Sequence, residues 1–97
     1  MNLDNLAQYI EDNDIYFDDM IEIEGVEYST ELIYDEIDSY NDGVTTYIKV
    51  WKINDKYFKI TRYYNSWDGG DNSIAEVRIS GYKQVPIFEN IGEERDI

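Results

Sequence analysis

The chain has 97 residues, with 22 acids against 8 bases, no histidine, no cysteine and a formal net charge of −14. That length supports one domain, residues 1–97, with a single modest core. The missing cysteines exclude a disulfide framework and thiolate chemistry, and the charge opposes direct binding to nucleic acid or an anionic membrane. The charge is one-sided. Fourteen acids and no lysine or arginine fall in residues 1–43, while the remainder carries eight of each sign. High charge and low hydropathy favour disorder, but fifteen aromatics, ten of them tyrosine, and clean periodicity in both halves favour a fold.

Leu3, Leu6, Ala7 and Ile10 follow i, i+3, i+4, i+7, one face of a short helix that Asn13-Asp14 ends. For residues 21–28 two readings stand: a hairpin from Ile21 to Tyr28 broken at Gly25, or a helical turn over Phe17 to Ile21. Ser29-Thr30 offers N-cap hydroxyls for a second helix over Glu31 to Asn41, with Ile33, Ile37 and Tyr40 as its buried stripe and Asp42-Gly43 as its stop.

From Thr45 the period changes to two. Thr45–Ile53 and Lys56–Tyr64 read as strands joined by Asn54-Asp55. That turn sets Trp51 opposite Phe58, Lys49 opposite Ile60 and Tyr47 opposite Arg62, with Lys52 and Lys59 on the other side. A loop over residues 65–72 precedes a third strand, Ile74 to Ser80, with Ala75, Val77 and Ile79 inward. Pro86 confines any later strand to an edge, and residues 92–97 are expected to fray. The resulting expectation is an α+β fold: two N-terminal helices packed on one face of a three- to four-stranded antiparallel sheet. Tyr47, Trp51, Phe58, Ile60, Val77 and Ile79 should be buried with Leu6, Ile10, Ile33 and Ile37.

On the expected second helix, Glu31, Asp35, Asp38 and Asp42 form a row opposite the apolar stripe, one carboxylate every ~4.5–6 Å at a rise of about 1.5 Å per residue. Like charges at this spacing destabilise a helix, so retaining them without an interspersed base points to a cationic partner; the bland alternative is a solubilising face. With Glu22 and Glu24 they make the candidate partner-binding surface, and Tyr63, Tyr64 and Trp67 are candidate aromatic anchors. Asp12 to Ile23 fails the calcium-loop pattern, with Phe17 where glycine belongs and Ile23 where glutamate belongs. Residues 68–72 read as a plain turn, so no metal and no cofactor is expected. Without histidine or cysteine no nucleophile–imidazole pair exists, and no enzyme is expected.

In length, cysteine content, acid-lined helix (Glu31 to Asp42) and small sheet (Tyr47 to Ile79), the chain resembles the small phage-encoded anti-CRISPR proteins that act as DNA mimics. The resemblance is one of profile, without a shared motif. It implies an inhibitor that occupies the DNA-binding site of a CRISPR effector, Cascade-type complexes favoured over Cas9, in the cytoplasm of a bacterial host. The implied partner is a basic nucleic-acid-binding protein, and the inhibitor a monomer or weak dimer. An acidic immunity protein against a basic nuclease toxin is the alternative, and a non-inhibitory structural or virion protein a second.

Overall fold

The computed structural model describes residues 2–13, 20–65, 69–82 and 86–97, with backbone alone at positions 38 and 69. The first element is the expected helix, α1 (Leu3–Asn13). Asn2 caps it, its Oδ1 accepting from the Asn5 amide at 2.8 Å. At the other end Asn13 Nδ2 donates to the Tyr9 carbonyl at 3.1 Å. Leu6, Ala7 and Ile10 are buried, as the apolar spacing requires.

After α1 most of the described residues form antiparallel sheet. β1 (Met20–Ile23), β2 (Val26–Asn41), β3 (Val44–Ile53), β4 (Lys56–Asn65), β5 (Gly69–Tyr82) and β6 (Pro86–Asn90) form a meander in chain order, and β7 (Arg95–Asp96) pairs with β5. Glu24-Gly25 and Asp42-Gly43 have positive φ at both residues, the requirement of the two-residue turns that match strand twist. Of the two readings of residues 21–28, the hairpin is therefore the one formed, with Ile21 opposite Tyr28; residues 14–19, where the helical turn would begin, lie outside the described residues. The β3–β4 register is also as expected: Trp51 opposite Phe58, Lys49 opposite Ile60, Tyr47 opposite Arg62.

The α+β expectation of two helices on a three- to four-stranded sheet is overturned: Glu31 to Asn41 is strand, part of the 16-residue β2, and the sheet has seven strands among the described residues. Three physical terms favour the strand. The segment is rich in β-branched and aromatic residues, among them Thr30, Ile33, Tyr34, Ile37 and Tyr40. A helix over these residues would stack Glu31 and Asp35 at i, i+4 with no base between them and place Asp38 and Asp42 at its negative end. In the strand, Glu31 and Asp35 stand opposite Lys52 and Lys49 in the register and fall on opposite sides of the sheet. Two bulges, between Leu32 and Tyr34 and between Ile37 and Ser39, disguise the alternation. Each adds one residue, which stretches the period on one face from two toward the helical value. Ser29-Thr30 is accordingly no cap; the pairing of β2 passes there from β1 to β3.

The sheet buries both faces. On the helix face Leu6, Ala7 and Ile10 meet Ile21, Ile23, Ile53, Phe58, Ile60 and Ile74, with Trp51 and Tyr28 packed against them. On the far face Val50, Thr61, Ser73, Ala75 and Val77 are buried. The sheet curls around this far face until Tyr34 of β2 reaches Phe88 of β6, ring centroids 5.6 Å apart and edge-on. Glu94 closes the same side, bonded to Ser73 Oγ at 3.4 Å and paired with Lys59 at 3.7 Å.

Residues 92–97 are thus anchored rather than frayed. The Ile97 amide donates to the Asn72 carbonyl at 3.0 Å, and Arg95 donates to the Asp4 carboxylate at 3.0 Å, tying β7 to α1. β5 starts at Gly69, so most of the expected 65–72 loop is strand. Pro86 opens β6, an edge strand, where its missing amide costs no ladder bond. With no second helix to cover them, Ile37 is 61% exposed and Tyr47 40%, while Ile79 is 37% exposed beside the β5–β6 bulge. Ile33 and Trp51 are half-buried.

Candidate functional site

Two surfaces concentrate chemistry, on opposite sides of the sheet. The first is acidic. Ile21 and Ile23 of β1 face the helix, so Glu22 faces away, directly opposite Glu27 of β2. Glu31 and Glu36 continue on that side, flanking Tyr34. All four are exposed, and among the described residues none of them is salt-bridged, although Lys52 is the cross-strand neighbour of Glu31. Glu24 sits at the hairpin tip, its carboxylate 3.5 Å from Asn5 Nδ2. A like-charged pair facing each other across a hairpin costs stability.

The second surface is a cleft of about 520 Å³ on the helix face, at the end of the sheet that α1 does not reach. Tyr47, Lys49 and Trp51 follow one another along one side of β3, and Ile60, Arg62 and Tyr64 along the same side of β4. Asp35 of β2 lies opposite Lys49, and Asn72 of β5 opposite Arg62. The Arg62 guanidinium lies 5.7 Å from the Tyr64 ring centre. The cleft exists because the second helix does not: a covering helix there would have to bury Lys49 and Arg62.

The nine candidate partner-binding residues therefore do not form one surface. Glu22 and Glu31 belong to the acidic side of β1 and β2, whereas Glu24, at the hairpin tip, reaches toward Asn5 of α1. Asp35 and Tyr64 line the cleft. Asp38 lies in the second bulge of β2, and Asp42 occupies the β2–β3 turn with φ 51°, at the opposite end of β2 from Glu24. Tyr63 turns to the far face, opposite Thr46 and Asp71. Trp67 lies outside the described residues. Glu27 and Glu36 were not among the candidates; period two places Glu27 beside Glu31, and the bulge between Leu32 and Tyr34 brings Glu36 to the same side. Lys49 and Arg62 carried a signal too, because the hairpin register already put both cations on the face reserved for helices.

Among the described residues no cluster of acids is arranged to hold a metal ion, and no helix is long and apolar enough to cross a membrane. Comparison with protein-family models, curated proteins and solved structures finds no match.

Proposed function

We propose that this chain is an inhibitor of the anti-CRISPR DNA-mimic kind, whose acidic β1–β2 surface occupies the cationic DNA-binding site of a CRISPR effector. The observation that carries the reading is the base-free run of exposed carboxylates, Glu22, Glu27, Glu31 and Glu36, all on one side of two adjacent strands. Its charge repels itself, and among the described residues none of the four carboxylates is salt-bridged, Lys52 opposite Glu31 being the one cross-strand cation. A strand suits the role better than the helix the sequence suggested. Its rise of about 3.3 Å per residue is nearly the ~3.4 Å per nucleotide of one DNA strand. Glu27 and Glu31 are thus separated by about the axial span of four nucleotides.

The test is inhibition by a charge-reversed protein. The parent should prevent a purified Cascade-type complex from binding its target DNA. A variant carrying Glu22→Lys, Glu27→Lys and Glu31→Lys should remain folded by circular dichroism and lose that inhibition through slower association and direct repulsion. Equal inhibition by the folded variant rejects this surface as the docking site.

A further inference from the structure

We propose that the cleft on the helix face is a second, independent binding site, for a small planar aromatic anion of mononucleotide size. The argument begins with charge. In a chain of 22 acids and 8 bases, a base without a carboxylate partner is unexpected. Lys59, Arg78 and Arg95 follow expectation, paired with Glu94, Glu89 and Asp4. Lys49, Lys52 and Arg62 do not: none of the three is salt-bridged among the described residues, though Asp35 and Glu31 are the cross-strand neighbours of Lys49 and Lys52. Of the three, Lys49 and Arg62 line the cleft together.

These two cations are diagonal neighbours on adjacent strands, since Lys49 pairs with Ile60 and Arg62 with Tyr47. The Cα atoms of diagonal neighbours are separated by roughly 7–8 Å, a span across which two long, exposed cationic side chains can converge on one anionic group. An anion there converts their mutual repulsion into two attractions, and the Arg62 fork suits a phosphate or carboxylate.

The remaining walls select a ring. Trp51 packs against the helix-side core and also lines the cleft, so its indole is held in place before any ligand arrives. Tyr47 stands on the same side of β3, two residues beyond Lys49, and Tyr64 follows Arg62 on β4. Aromatic faces within reach of a fixed anion site stack a planar group. Asn72 and Asp35 supply hydrogen-bonding groups at the two flanks. A cleft of about 520 Å³ lies within the ~300–1,000 Å³ of small-ligand pockets. A nucleic-acid polymer is a poorer occupant, because its further phosphates meet the field of the −14 chain.

The probe is AMP, with ribose 5-phosphate and adenosine as its separate halves. Binding is followed by backbone amide shifts of the labelled protein and by Trp51 fluorescence in a Trp67→Phe background. The proposal expects AMP to bind at least about ten-fold more tightly than either half, as charge-assisted contacts and stacking together require. Shifts should centre on β3 and β4 around Lys49 and Arg62, and Lys49→Gln with Arg62→Gln should weaken AMP at least about ten-fold. Both side chains are exposed, so the variant should keep its circular dichroism. Tyr64→Ser should weaken AMP and leave ribose 5-phosphate unchanged. AMP binding no better than ribose 5-phosphate, shifts centred elsewhere, or an unaltered affinity in the double variant would each overturn the proposal.

Discussion

Glu27→Lys should make this protein more stable while weakening its proposed interaction. Glu22 and Glu27 face each other across the β1–β2 hairpin, both exposed. Charges about 6 Å apart in water repel by roughly 0.7 kcal/mol before screening. Changing one sign turns repulsion into attraction, a swing of about 1.4 kcal/mol in the same limit. With a Debye length near 10 Å at 0.1 M salt, about half survives, roughly 0.8 kcal/mol. For domains of this size 1 kcal/mol moves Tm by about 4–8 °C, so the gain is about 3–6 °C. Glu27→Gln should give about half of that. In 1 M salt, where the Debye length is about 3 Å, the difference should shrink to about 1 °C. Thermal unfolding followed by far-ultraviolet circular dichroism at both salt concentrations measures it. A Tm that falls, or does not respond to salt, means that the two side chains are not neighbours and the β1–β2 register is wrong. A gain in Tm accompanied by weaker inhibition would show a stability cost retained for binding.

Further predictions address the two cores and the close strand contact. Phe58 is fully buried between α1 and the sheet, so Phe58→Ala should cost about 3–5 kcal/mol, read as a lower urea midpoint, and a loss below 1 kcal/mol would place the ring outside the core. A Cβ on Gly70 would lie 2.9 Å from the Tyr63 carbonyl oxygen, so Gly70→Ala should destabilise by about 1–3 kcal/mol and perturb amides near Tyr63 in a nitrogen–proton spectrum. Thr61 is 3% exposed and its hydroxyl has no hydrogen-bond partner among the described residues; Thr61→Val should leave the urea midpoint unchanged or raise it, since an unsatisfied buried hydroxyl costs about 1–3 kcal/mol.

What the sequence disclosed was the part governed by local rules. α1 follows from Leu6, Ala7 and Ile10 at helical spacing, and the β3–β4 register follows from a two-residue turn between alternating runs. β2 was not legible, because its two bulges replace strict alternation and because Asp42-Gly43 serves equally as a helix stop and as a hairpin turn. The turn was the better reading, since strand-forming residues flank it on both sides and a helix ending there would carry acids at its negative pole. The acidic surface was half legible. Its sign and its confinement to residues 1–43 were plain, but the face depended on the secondary structure: a helical projection selects Asp35 and Asp42, a strand projection selects Glu27, and Glu36 joins that face only through the bulge between Leu32 and Tyr34. The cleft was legible only in negative form, as Lys49 and Arg62 on a face that no helix can cover without burying charge. The anchoring of residues 92–97 depends on contacts between Arg95 and Asp4 and between Ile97 and Asn72. No local pattern encodes pairings so distant in sequence.

Order-of-addition gel shifts with a Cascade-type effector and its target DNA test the mimicry most directly. If the β1–β2 carboxylates stand in for phosphates, effector saturated with this protein should fail to shift target DNA, and effector already holding DNA should fail to bind the protein. Both exclusions should weaken as salt rises, because ionic contacts are screened beyond a Debye length of about 10 Å at 0.1 M. A stable ternary complex of effector, DNA and this protein would contradict mimicry at the DNA-binding site.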